Sequence, residues 1–383
     1  MLLSVKSKNF SARIDRYGRV DFPLFAVTSG LLLFGILMVY SASSYNAEIN
    51  YGNEFFFVYK QVFGVIAGIA VMLVMTFFDY RKLIKARYIA LGVSILLLVL
   101  VLIPGIGVEN YGARRWLNLG FITLQASEVA KLGYVIFASA YTSKNYKKMT
   151  TIRGILPLIA VGGIICILTL LEPSMSVTMC IAFVIIAMLV IGGMRFRHLI
   201  CMILPLALAV ILLIIIEPYR MNRLMAFLDP WASPLEEGYQ LLQSFYAIGS
   251  GGFFGVGLFN SRQKFLFLPF AESDFIFSVI GEELGLLGCL CVILAFCFMI
   301  YRLVTIARQA SDRFGCYLAS GMAVLVGVQV LINIAVVTGS IPPTGIPLPF
   351  VSSGSSAIIV FCAGIGISES VRLRSHASVR ALL

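Results

Sequence analysis

Apolar stretches of about 18 residues or more recur along this sequence, each long enough to cross roughly 30 Å of hydrocarbon as a helix. Inside a bilayer a backbone amide finds no water, so open sheets and lipid-exposed loops would leave donors unpaired. The expectation is an all-α polytopic membrane protein with about ten transmembrane helices. Apolar runs read against their breaks place spans near 22–44, 58–78, 88–104, 127–142, 152–170, 175–193, 199–216, 274–301, 317–338 and 352–371. Of the 383 residues, 60% are hydrophobic and 12% charged, more apolar surface than a soluble domain can hide. The expected division is a cytoplasmic tail at 1–21, a single ten-helix membrane domain at 22–371 with a large outer loop at 217–273, and a cytoplasmic tail at 372–383.

A net charge of +11 invites a nucleic-acid partner, but the distribution of the cations excludes one. Of 29 Lys and Arg, 21 fall in the N-terminal tail, in 81–87, 144–153 and 302–313, at Arg195 and Arg197, and after Glu369. The intervening connections hold seven, and Lys131 lies within a span. Cytoplasmic loops collect Lys and Arg, and this alternation closes only with an even number of spans. Both termini are therefore expected in the cytoplasm. The first apolar stretch follows about twenty polar, basic residues and is too long for the core of a typical cleaved signal peptide. All eight cysteines and both histidines fall in spans or on the inner side, so no disulfide framework or thiolate metal site is indicated.

The outer segments 105–126, 217–273 and 339–351 hold most of the unusual chemistry. In the first, Arg114 and Arg115 run against the charge rule, with Trp116 beside them. They suit either an interfacial headgroup anchor or a guanidinium clamp on a phosphate-bearing ligand. In the fourth span Glu128 and Lys131 share a helix face. Such a pair at membrane depth either stitches the bundle or presents Lys131 to a substrate phosphate. The long segment brings Arg220, Arg223, Arg262 and Lys264, together with Gln243 and Ser261. Its glycine-rich run from Gly249 to Gly257 permits close backbone approach to a ligand. Cations interleaved with aromatics on the side where cations are scarce point to an anionic ligand.

Asp274 opens the eighth span, where a carboxylate gains from the positive end of the helix. Capping alone would account for it. Its place among outer cations, with no histidine to compete, also makes it a candidate general base. Glu282 and Glu283 lie roughly 12 Å deeper at 1.5 Å per residue and read as structural. The last segment packs four prolines into 342–349, ahead of Ser352, Ser353, Ser355 and Ser356. That helix start is suited to a phosphate, or else the segment is a stiff re-entrant plug.

Nearly the whole chain resembles the SEDS family of shape, elongation, division and sporulation proteins, which includes FtsW, RodA and SpoVE. The resemblance is carried by Met38-Val-Tyr-Ser-Ala-Ser, by Gly112-Ala-Arg-Arg-Trp through Gln125-Ala-Ser-Glu-Val-Ala-Lys131, and by Tyr239-Gln through Gly257. It continues in Asp274-Phe-Ile-Phe with Glu282-Glu-Leu-Gly, and in the long, specific Pro343-Thr-Gly-Ile-Pro-Leu-Pro-Phe-Val-Ser. It implies a peptidoglycan glycosyltransferase in the bacterial cytoplasmic membrane, polymerising lipid II at the outer face for cell division or sporulation. Implied partners are a class B penicillin-binding protein transpeptidase and other divisome or elongation membrane proteins. Asp274 matches the family's essential aspartate. Arg115, Lys131, Arg220, Arg223 and Lys264 would meet the pyrophosphate, with a divalent cation (Mg or Mn) as a possible helper. Ser174, Ala126, Phe270, Glu272, Ser273 and Ser355 depart from the family's usual residues, which bears on the shape of the outer cavity. The alternatives are a lipid II flippase, disfavoured by polar residues gathered at one face, and a non-catalytic transpeptidase scaffold, which would not need Asp274.

Overall fold

The computed structural model describes residues 20–110, 113–118, 120, 123–202, 204, 215–216, 218–236 and 238–380, without the side chains at 109, 110, 113, 218–220 and 376–380. The chain is a polytopic, mostly helical membrane protein. It opens with α1 (Phe22–Tyr51), α2 (Phe56–Phe77) and α3 (Lys82–Leu102). Then come β1 (Gly107–Asn110), β2 (Ala113–Asn118), β3 (Thr123–Gln125), α4 (Ala126–Asn145), α5 (Ile152–Leu171) and α6 (Met175–Ile191). After α6 come α7 (Pro218–Leu228), α8 (Tyr239–Gly251), α9 (Ile276–Arg308), α10 (Arg313–Val337) and α11 (Ser355–Arg380).

Among the described residues seven helices are long and apolar enough to span: α1, α2, α3, α5, α9, α10 and α11. The sixth expected span is the shorter apolar helix α6. The fourth is α4, longer than the expected 127–142 and carrying Glu128 and Lys131. The seventh, 199–216, falls mostly outside the described residues.

Local sequence fixes the starts. Asp21 accepts from the amide of Leu24 ahead of α1, Thr151 from Gly154 ahead of α5, and Asp312 from Gly315 ahead of α10. Burial then sorts the helices. The apolar window of α11 is 83% buried and that of α10 61%, against 17% for α3, so α10 and α11 are central and α3 faces lipid. Helix α11 packs along α2, α9 along α10, and α4 between α3 and α10.

Two segments depart from the sequence reading. The outer segment after α3 is an antiparallel sheet of order β1-β2-β3, with Val108 opposite Trp116 and Trp116 opposite Gln125. The large loop contains α7 and α8, and its glycine-rich run packs against α9. At Gly285 (φ 66°) α9 leaves helical geometry. There the amides of Leu286 and Leu287 bond the carbonyls of Gly252 and Phe253, and those of Val256 and Gly257 bond Glu282 and Glu283. The glycines serve this backbone-to-backbone approach: a Cβ on Gly255 or Gly251 would collide with the carbonyl of Glu283 or Gly281.

Gly255→Ala adds a side chain at φ +82° against backbone and is expected to cost roughly 2–4 kcal/mol. Gly30→Ala meets nothing within 4 Å, so it should be neutral or slightly stabilising. Melting temperatures of the two purified variants in one detergent check the pair; equal melting would remove the packing role from Gly255.

Candidate active site

Asp274 lies in the turn before α9, not inside the helix, and two non-helical segments meet around it. Asn333, buried in α10, donates from Nδ2 to Asp274 O and to Ile346 O, each at 2.8 Å. Ser352 donates to Ser273 O at 2.6 Å and accepts from the Leu348 amide at 2.8 Å. The Ser353 amide reaches Glu272 O at 2.9 Å. From α2, Gln61 Nε2 donates to Ser352 O at 3.2 Å. These bonds fix the proline-rich segment 341–354 onto the turn. Gly345 completes the fit, because a Cβ there would stand 2.7 Å from Asp274 Oδ2.

Arg115 arrives on β2. Its Nε donates to Glu172 O at 3.3 Å and an Nη to Pro173 O at 2.6 Å. Arg223 arrives on α7 and donates to Pro343 O at 3.3 Å. Asp274 is only half-buried, yet protein crowds it. This desolvation raises its carboxyl to about 7; Arg115 and Arg223 act in the opposite direction, and the nearby Glu272 adds to the rise. Burial also raises Glu272. Glu172 is raised to about 8 by burial, which Arg115 opposes. Neither Glu172 carboxylate oxygen has a hydrogen-bond partner among the described residues.

The other sequence candidates lie in different surroundings. On β2 Arg114 stands opposite Glu109 and Trp116 opposite Val108, so Arg115 between them is the extra residue of a β-bulge; all three are half-buried. Lys131 pairs with Glu128 at 2.8 Å and with Gln329 Oε1, fully buried, and Gln329 in turn donates to Pro347 O at 3.0 Å. Lys264 is also buried, donating to Phe259 O at 2.7 Å and pairing with Glu283 at 3.4 Å. Ser261 donates to Glu282, which also accepts the Arg262 amide at 2.8 Å. Glu282 and Glu283 thereby anchor the loop that precedes Asp274. Gln243 is half-buried on α8. The side chain of Arg220 lies outside the described residues.

Sequence reasoning missed Glu172, Asn333 and Gly345 as parts of this site. For Glu172 the signal was a lone carboxylate ending an apolar run. A divalent cation would not find a protein cage here. Among the described residues no group of three or more His, Cys, Asp or Glu could hold a metal, so its ligands would have to come mainly from a substrate pyrophosphate and water.

With this geometry in view, the likeness to known proteins is specific. The model of the cell cycle protein family FtsW/RodA/SpoVE matches residues 22–377, and the chain belongs to that family. Stage V sporulation protein E of Bacillus subtilis is 36% identical over 92% of this chain and 96% of its own length. A probable peptidoglycan glycosyltransferase FtsW of Nitrosomonas europaea is 40% identical over 88% of each chain. Among solved structures, one described as the structural coordination of polymerization and crosslinking by a peptidoglycan synthase complex contains a chain that superposes with TM-score 0.78. That chain is 26% identical, over 92% of this chain and 98% of its own. The Thermus thermophilus rod shape determining protein RodA superposes with TM-score 0.67 at 25% identity, over 92% and 97%.

Glu272→Gln removes a neighbouring negative charge and should lower the protonation midpoint of Asp274 from about 7, whereas Arg223→Ala should raise it. A pH titration of the carboxyl infrared band, with Asp274→Asn as the blank, reads both. An unmoved midpoint in both variants would separate Asp274 from these neighbours.

Proposed function

We propose that this chain is a peptidoglycan glycosyltransferase that polymerises lipid II into glycan strands at the outer face of the bacterial cytoplasmic membrane, in cell division or sporulation. The observation that carries the reading is a half-buried carboxyl, Asp274, set against the proline-rich segment at Gly345 and near enough to Arg115 and Arg223 to feel both charges. The names of relatives matched over nearly the full chain support the same reaction. Asp274 accepts the proton of an acceptor sugar hydroxyl as that oxygen bonds the donor's anomeric carbon. The bond from that carbon to the lipid pyrophosphate breaks on the opposite face, so the configuration inverts. Arg115 and Arg223 stabilise the charge that develops on the departing pyrophosphate. Lys131 and Lys264, with Glu128, Ser261 and Ser352, hold the walls. Direct phosphate contact by either lysine would first require its buried pair to open.

The reading includes a transpeptidase partner of the class B penicillin-binding protein type. A relative in fold comes from a complex described as coordinating polymerization with crosslinking, which supports such a partner. It also includes cytoplasmic termini, supported by the 21 basic residues on one side against seven on the other.

Asp274→Asn should lower polymer formation by purified protein on lipid II by roughly 10²–10⁴-fold, the range for loss of a positioned general base, while the protein still folds and binds its partner. Only the ionised carboxylate accepts a proton. Activity of the unsubstituted protein should therefore rise with pH through about 7, and Glu272→Gln should move that limb downward. Near-normal polymer from Asp274→Asn would end the general-base assignment.

The sidedness has its own check. In a cysteine-depleted background, Ser233→Cys should react with a membrane-impermeant thiol reagent on intact cells, and Ser311→Cys only after the membrane is opened. The reverse pattern would put Asp274 on the cytoplasmic side and end the outer-face polymerase reading.

A further inference from the structure

On the face of the bundle rich in Lys and Arg, opposite Asp274, lies a cleft of about 360 Å³ that the glycosyl transfer does not use. Its walls are Thr150, Thr151, Ile152 and Arg153 from the start of α5, and, beyond α6, Arg195 with Arg197 and His198 from the helical segment that begins at Phe196. Among the described residues no carboxylate lines it, and none of the three guanidinium groups makes an ion pair or hydrogen bond. His198 Nδ1 is shielded from solvent and has no hydrogen-bond partner among the described residues.

Packing holds the two walls together. Met149 is fully buried, and its methyl group would stand 3.0 Å from a Cβ on Gly192, so the connection before α5 is locked against the end of α6. Thr151 caps the first turn of α5 through the Gly154 amide at 3.3 Å and donates to Lys148 O at 2.7 Å. A Cβ on Gly154 would collide with Lys148 O, which keeps that turn tight. The arginines thus project from a built frame.

We propose that this cleft binds the phosphate of an acidic phospholipid headgroup. Three unpaired guanidinium groups beside a bilayer select a phosphodiester anion, and basic pockets between helices on this side suit lipid head groups. The apolar surroundings distinguish a lipid from a free anion. Ile152 (61% exposed) and Leu156 (55%) on α5 continue from one wall, and Phe196 (74%) and Ile200 (55%) from the other. The two exposed stripes leave the cleft along the helices, where acyl chains would lie. A soluble phosphate would have no use for them.

The test is native mass spectrometry of the full chain in detergent, titrated with phosphatidylglycerol and separately with phosphatidylcholine and inorganic phosphate. Each basic residue near the surface is expected to contribute roughly fivefold to binding, so Arg153→Ala, Arg195→Ala or Arg197→Ala alone should weaken phosphatidylglycerol retention by about that factor. The triple variant should weaken it by roughly a hundredfold. Lys82→Ala with Lys85→Ala and Arg308→Ala removes equal charge from the same face and should change retention by less than about threefold, since screening isolates distant charges. Retention by the triple variant equal to that of the unsubstituted protein would overturn the proposal. So would an equal loss in the charge-matched control, or inorganic phosphate binding as tightly as phosphatidylglycerol. The single variants keep the test decisive if the triple variant does not fold.

Discussion

One carboxamide joins the two halves of the site. Asn333 donates to Asp274 O and Ile346 O at 2.8 Å each, from a position in α10 that is almost wholly buried. Both carbonyls belong to backbone that has left helical geometry, where an unpaired oxygen costs about 1–3 kcal/mol and water is scarce. Gln61, Gln329 and Ser352 do the same for neighbouring carbonyls at Ser352, Pro347 and Ser273. Four polar side chains, three of them within apolar helices, thus make it possible for irregular backbone to exist at this depth. The position of the Asp274 carboxyl follows from theirs.

The buried ion pairs belong to the same frame. Lys264 with Glu283, and Lys131 with Glu128, gain little over well-packed apolar residues of similar size, whereas removing one partner strands the other at about 3–5 kcal/mol. Their value lies in where they hold the chain. Glu282 and Glu283 sit just before the break in α9 at Gly285 and receive amides or hydroxyls from the loop at Ser261 and Arg262. Lys131 reaches the proline-rich segment through Gln329. Loss of either lysine would therefore loosen the frame around Asp274, and an activity defect in such a variant would not by itself place that lysine on a phosphate.

Most spans were legible because apolarity over a bilayer's thickness is a property of composition alone. The break inside α9 was not, since hydrophobicity runs on across Gly285 and only the partner strand of backbone shows why helical geometry stops there. Three strands of four, six and three residues are too short to read between two helices. Missing them also hid the bulge in β2 that sets Arg115 between the paired Arg114 and Trp116. Asp274 stood out through its charge and its neighbours' charge. Asn333 could be read as a buried polar residue, but nothing in one sequence names the two carbonyls it serves, which lie 59 and 13 residues away. The glycine-rich run was read as room for a ligand, whereas the backbone that approaches it is that of α9.

In the proposed reaction the electrostatics of Asp274 would be a compromise between two tasks. Cations that stabilise a departing pyrophosphate also favour the ionised carboxylate, and by themselves Arg115 and Arg223 would make Asp274 a weaker base than an ordinary aspartate. Desolvation by the surrounding protein acts the other way and outweighs them, with Glu272 adding to it. The net result near 7 keeps a substantial ionised fraction at neutral pH and enough basicity to take a proton in the transition state. Arg115 is held in place by its bonds to the carbonyls of Glu172 and Pro173. A bound pyrophosphate would bring more negative charge beside Asp274 and raise its proton affinity again. Substrate binding would thereby strengthen the base at the moment it is needed, an effect that depends on the arginines being close enough to both groups to balance them.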